Sequence, residues 1–167
     1  QYMLELITRA RADPASEAAR YGVDLNEGLP AGTLSLDPRQ PLAINPNLIN
    51  SARSHSQWML ANQILDHNEG NLDPATRMQN AGYVFNPSSG SGENIAFSGT
   101  KTPLPLDQSV VQEQRSLFVD SSVAGRLHRL NLLDGDFQEV GIGIATGLFQ
   151  GYDAVLATQD FAFSAGN

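Results

Sequence analysis

Residues 140 to 145, Val-Gly-Ile-Gly-Ile-Ala, restrict the fold more than any other stretch of this chain. Large apolar and very small side chains alternate strictly. That is the two-residue period of a β-strand, whose successive side chains leave opposite faces. Val140, Ile142 and Ile144 form one face and pack into a core. Gly141, Gly143 and Ala145 form the other and fill almost no space, so a helix or another backbone must approach it closely. Gln150-Gly151-Tyr152-Asp153 reads as a turn. Ala154 to Phe163 reads as the returning strand, with Val155, Ala157, Phe161 and Phe163 available for packing.

Helical spacing dominates the first two thirds. Met3, Leu4, Ile7 and Ala10 place a helix over Tyr2 to Arg11, and Asp13-Pro14 separates it from further turns over Ala15 to Tyr21. Gly22 to Gln40, with Gly28, Pro30, Gly32 and Pro38, reads as loop. The strongest helix runs from Pro46 to Leu65, capped by Asn45. Its apolar stripe is Ile49, Ala52, Met59, Leu60 and Ile64, and His55 falls on that stripe as a hydrogen-bonded core residue. Asp73-Pro74 opens a short helix to Ala81. Asp107 is positioned to cap another that carries Val110, Val111, Gln114, Leu117 and Phe118 and ends at Asp120. Beyond Gly125, Leu127 and Leu130 are spaced to face the core, with His128 on a different edge of that turn. Helices followed by a hairpin give an α+β domain with an antiparallel sheet between helices. A length of 167 residues suits one domain, taken as residues 1–167.

Composition excludes several function classes. With 10 Lys and Arg against 18 Asp and Glu the net charge is −8, which disfavours nucleic acid and anionic membrane surfaces. No apolar run reaches membrane-spanning length. The absence of cysteine removes disulfides and thiol catalysis. The sequence opens at Gln1 without a signal peptide, so its compartment is not legible from its own start.

Chemistry concentrates around Ser91-Gly92-Glu93-Asn94-Ile95-Ala96-Phe97. Gly90 and Gly92 allow tight backbone, while Ile95 and Phe97 share one side of an extended segment. Glu93 therefore enters at the rim of the core, where a carboxylate must be paired, hydrogen-bonded or metal-bound. The histidines available to it are His55, His67 and His128. His67 follows the long helix among polar residues and glycine and, taken alone, reads as an exposed loop residue. No Gly-x-Ser-x-Gly elbow occurs, and Ser54 and Ser56 do not face His55 on a helix. Asp134-Gly135-Asp136 reads as a solvated turn, since it lacks the longer ligand pattern of a calcium loop.

The motifs also stand in a telling order: His55-Ser56-Gln57-Trp58-Met59, Asp66-His67, Arg77 with Ala81-Gly82-Tyr83, Gly92-Glu93-Asn94-Ile95-Ala96, His128-Arg129-Leu130-Asn131-Leu132-Leu133, Phe137 to Gly143, and Thr158-Gln159-Asp160-Phe161. In that order they resemble the CAP superfamily of cysteine-rich secretory, antigen 5 and pathogenesis-related proteins. The similarity is greatest to its cysteine-free bacterial branch of SCP-like extracellular domains. The resemblance implies a three-layer α-β-α sandwich around a small antiparallel sheet, and an extracellular location. It implies a cleft holding His67, His128 and Glu93, with Asp120 or Glu113 as the second acid. Two imidazoles with carboxylates suit a divalent cation, Zn²⁺ first. The implied role is a binding or interaction module for a lipid, a sterol or a cell-surface partner, without an established enzymatic activity. The second reading is a metal-assisted hydrolase, an esterase or protease, run by Glu93, His67 and His128. Leu104 and Leu106, beside prolines, read as loop packing or as the border of an apolar groove. His55 is expected to be buried and turned away from the cleft.

Overall fold

The computed structural model describes residues 1–163 of the chain. Helices α1 (Tyr2–Ala12) and α2 (Pro14–Tyr21) meet at Asp13, whose side chain accepts from the Ser16 amide and caps α2. A long irregular link then reaches β1 (Ala43–Ile44). Helix α3 (Pro46–Asn62) begins as its sequence dictates, with Asn45 Oδ1 accepting from the Asn47 amide at 2.9 Å. It stops at Asn62 rather than Leu65, because Gln63 takes the left-handed conformation and turns the chain into the loop that presents His67. Next come α4 (Pro74–Asn80), β2 (Gly90–Thr100), α5 (Leu106–Val119), α6 (Leu127–Leu133), β3 (Glu139–Phe149) and β4 (Tyr152–Phe163). Helix α5 starts at Leu106 with Pro105 in the cap position and no side-chain cap, so Asp107 lies inside the first turn.

The sheet has the order β1-β3-β4-β2. Strand β4 pairs antiparallel with both neighbours, in the registers Glu93↔Asp160 and Gly141↔Asp160. The expected β2, β3 and β4 therefore share one sheet. The sheet differs from a purely antiparallel one at its edge, where β1 pairs parallel with β3 through Ala43↔Glu139 and Ile44↔Val140. Two residues are too few to show a strand period.

The registers fix which side chains share a face. Glu93, Asp160 and Gly141 stand in one row and point toward α3, as do Leu156, Thr158 and Ala162. Asn94, Gln159, Val140 and Phe161 point the other way, toward α1, α5 and α6. Helices α3 and α4 thus cover one face and α1, α2, α5 and α6 the other, giving three layers. The larger apolar cluster lies on the second side and joins Leu6, Ile7, Leu117, Phe118, Leu132 and Phe161.

Two fully buried arginines anchor α6 from either end. Arg11 donates to the carbonyls of Gln40, Leu132 and Asp134, at 2.8, 3.0 and 2.8 Å. Arg129 donates to those of Phe118 and Leu25, at 2.7 and 2.9 Å. Each satisfies carbonyls that helix ends and loops leave without partners. Burial lowers the Arg11 guanidinium only to about 10, so it stays charged at neutral pH. Leu130 packs against the core as expected and Leu132 and Leu133 join it, but α6 is turned so that Leu127 is 58% exposed. The carbonyl bonds of Arg129, which the apolar pattern does not register, help set that turn.

Candidate functional site

A cavity of about 530 Å³ opens where the two helical layers meet beyond the β2 edge of the sheet. His67 reaches it from the loop after α3, Glu93 from the α3 face of β2, and His128 from the first turn of α6. Leu65, Ile95, Val123 and Leu127 supply apolar walls.

Each histidine is held by its own carboxylate. His67 Nδ1 lies 2.7 Å from Glu93 Oε1, and His128 Nδ1 lies 2.8 Å from Asp120 Oδ1. Both carboxylates are 1% exposed at the side chain, against 44% for His67 and 18% for His128. An ionised carboxylate only accepts, so each ring donates through Nδ1 and directs Nε2 away from the carboxylate. The ring centroids stand 6.5 Å apart. Asp120 is therefore the acid beside the second histidine. Glu113 lies on the far side of β2, where Ser98 Oγ donates to it at 3.2 Å.

The site is braced from behind. Arg77 donates to the second oxygen of Glu93 and to the His67 carbonyl. Burial alone would push the Glu93 carboxyl up, but the His67 hydrogen bond and the Arg77 guanidinium outweigh it and hold the group below its ordinary range. Asp120 Oδ2 also accepts from the His128 amide at 2.9 Å, so one carboxylate fixes both ring and backbone at the start of α6. Asn131 donates to the Glu93 carbonyl and to Asn94 Oδ1, while Asn94 donates to the His128 carbonyl and to Gln159. This amide chain locks α6 to β2 and so sets one histidine against the other. Sequence reasoning did not single out Arg77 or Asn131 for this role, although both lie in the quoted motifs.

His55 is fully buried, as expected, with Nδ1 2.9 Å from Glu69 Oε1 and Nε2 donating to the Asp66 carbonyl at 3.0 Å. It does not turn away from the cleft: Nε2 lies 3.9 Å from Glu93 Oε1, directly behind the site. Ser56 is structural, its Oγ bonded to Thr158 Oγ1 at 2.8 Å. Leu104 and Leu106 border a separate cavity of about 200 Å³ with Thr146 and Val155.

Among the described residues, no three His, Asp or Glu side chains surround one point as a ready-made metal cage. The geometry offers two imidazole Nε2 atoms, each with a carboxylate behind its other nitrogen. Carboxylates placed in this way fix the tautomer of metal-binding histidines and raise their basicity. The donor set fits a borderline cation that takes nitrogen ligands and keeps open positions.

Comparison with known proteins agrees with this architecture. The fold is similar to an extracellular SCP-domain protein of Bacillus anthracis (23% identity, TM-score 0.53), covering 74% of this chain and 34% of that one, so the chain spans about a third of that relative. It is similar to an outer surface protein of Borrelia burgdorferi (16% identity, TM-score 0.52, 75% of this chain and 80% of that one). It is also similar to NaASP2, whose structure contains Zn²⁺ (11% identity, TM-score 0.58, 96% of this chain and 79% of that one). No curated protein matches the sequence. Among the described residues, no helix is long and apolar enough to cross a membrane. The model of the CAP family, the cysteine-rich secretory protein family, matches residues 5–161, and the chain belongs to that family.

Proposed function

We propose that this CAP domain is an extracellular binding module whose cleft holds a divalent cation, Zn²⁺ first, on Nε2 of His67 and Nε2 of His128. Glu93 and Asp120 act one bond further out, holding the two rings in the metal-binding tautomer. The observation that carries this reading is the paired construction: two histidine–carboxylate pairs, from opposite helical layers, converge on one cavity with both Nε2 atoms directed away from their carboxylates. When bound, the cation supplies a Lewis-acid centre with positions open to a ligand oxygen. The apolar walls formed by Leu65, Ile95, Val123 and Leu127 suit the aliphatic part of that ligand, which favours an amphipathic, lipid-like molecule over a purely ionic one.

A metal-assisted hydrolase is the weaker reading. Glu93 is already engaged by His67 and Arg77, and a carboxylate held below its ordinary range is a poor general base near neutral pH. Isothermal titration with Zn²⁺ tests the proposal. His67→Ala and His128→Ala should each abolish binding with the fold intact, whereas His55→Ala should destabilise the protein and leave the Nε2 atoms in place. Metal loss in His55→Ala alone would overturn the assignment. Turnover of esters or peptides that disappears in His128→Ala would overturn the ranking of binding over catalysis. Because a bound cation competes with protons for Nε2, affinity should fall as pH is lowered.

A further inference from the structure

Arg77 also lines a second cavity. This space, about 320 Å³, lies between α3 and α4, and its wall includes Asn50, Ser51 and Ser54 of α3, Arg77 and Asn80 of α4, and Glu69. Its size is at the small end of ligand pockets.

Two of the wall residues are more than nine-tenths buried and carry polar atoms with no hydrogen-bond partner. Ser51, 3% exposed, leaves Oγ unbonded, and Arg77, 6% exposed, leaves Nε unbonded. Behind Ser51 on β4 lies the fully buried Asp160, which neighbours Glu93 and is not part of the cavity wall. Buried polar atoms are nearly always satisfied, and two on one cavity wall without a hydrogen bond, Arg77 Nε having only the Glu69 carboxylate at 3.6 Å, call for a further partner.

Charge and hydrogen-bond direction define that partner. The single guanidinium of Arg77 already meets two carboxylates, Glu93 and Glu69, whose Oε1 lies 3.6 Å from Nε. A phosphate or carboxylate ligand would add negative charge to a pocket that holds it in excess. An ammonium group fails differently, because Arg77 Nε is a donor and an ammonium has nothing to accept with. A hydroxyl group donates and accepts, so a molecule bearing several can serve Arg77 Nε, Ser51 Oγ and the Glu69 carboxylate together. Asn50, Ser54 and Asn80 add further amide and hydroxyl groups to the wall. We propose that this cavity is a binding site for a neutral polyhydroxylated ligand of monosaccharide size. It is separate from the cation reading and stands or falls without it.

D-glucose and myo-inositol serve as probes, titrated into the ¹⁵N-labelled full chain. The Arg77 Nε–H signal and the amides of Ser51, Ser54 and Asn80 should shift together and saturate, with dissociation constants on the order of millimolar for at least one probe. Ser51→Ala should weaken binding about tenfold. Asn80→Ala, at an exposed position, should weaken it too and covers the case in which Ser51→Ala fails to fold. Inorganic phosphate and methylammonium should leave these signals unmoved. If neither polyol moves the Arg77 Nε–H signal, water alone fills the cavity and the proposal is wrong. If phosphate or methylammonium binds in place of the polyols, or if both variants bind a polyol as the wild type does, it is wrong as well.

Discussion

Asp120 adopts the left-handed conformation (φ 53°) at the end of α5, a conformation that aspartate tolerates better than most residues. That turn aims its carboxylate at the His128 ring and amide together. Asp120→Asn keeps the backbone but loses the charge and one of two acceptors, so Zn²⁺ affinity should drop about 10- to 100-fold in calorimetry while the His67–Glu93 pair stays intact. Glu113 belongs to stability rather than to the cleft. It is 1% exposed with Oε2 unbonded, and burial raises its carboxyl to about 8, with the Ser98 hydrogen bond only partly offsetting this. A carboxyl raised in the folded state stabilises the fold fully below its ordinary unfolded value, and that stability is lost as pH climbs toward and through the folded value. The unfolding free energy read from urea titrations should therefore fall from pH 5 to pH 9, by an amount on the order of a few kcal/mol, and Glu113→Gln should flatten part of the fall, leaving that of the buried Asp160, which burial also raises. A wild-type midpoint that does not change over this range would contradict the assignment. At this scale the sequence marked Glu93 by its neighbours and the need for a partner. It left Asp120 and Glu113 open, because the choice turns on which side of β2 each carboxylate meets, Ser98 for Glu113 and His128 for Asp120.

Elements were most legible where composition and period coincide. The alternation at Val140 to Ala145 places glycine under α3 for a physical reason. A Cβ on Gly141 would stand 2.0 Å from the Leu48 carbonyl carbon, and one on Gly143 would stand 2.1 Å from the Ala52 carbonyl oxygen. Backbone cannot yield as a flexible side chain can, so Gly143→Ala must push α3 off the sheet. The expected loss is about 3 kcal/mol or more, read from urea denaturation, with Gly147→Ala as the mild control because it meets only the Leu60 side chain, at 3.1 Å. Equal midpoints for the two variants would refute the close helix–strand contact. Less legible elements have equally concrete causes. The two residues of β1 are too short for a period, and the α5 start lacks a capping side chain. The face of α6 is set by the carbonyl bonds of Arg129 together with Leu130, Leu132 and Leu133, so Leu127 is left outside.

At the scale of the molecule, the cleft exists because two helical layers overhang one sheet edge. His67 comes from the α3 layer and His128 from the α5–α6 layer, and β2 supplies Glu93 between them. The ordered motifs implied this convergence through family resemblance. No local pattern encodes it, since it depends on which face of β2 is occupied by odd-numbered residues and on the amides that join α6 to that strand. The same geometry bears on cooperativity. Strand β4 is buried from Ala154 to Ala162, with alternate residues packed into the α3 side and into the α1–α5–α6 side. Neither layer can leave without exposing the apolar face of the strand that the other still covers. The chain should therefore unfold as one unit rather than as two. Trp58, the only tryptophan, reports the α3 layer, and the Tyr21–Phe118 ring pair, 5.6 Å between centroids, reports the opposite one. In urea, the fluorescence of Trp58 and the ring NMR signals of Tyr21 should give the same midpoint and the same slope. Phe161→Ala, which opens a cavity beneath β4 on the Tyr21 side, should lower both midpoints together, by the equivalent of about 3 to 5 kcal/mol of unfolding free energy. If the Tyr21 signals shift while the Trp58 transition stays where it was, the layers fold independently, and the cleft between them is a contact between two units rather than a feature of one domain.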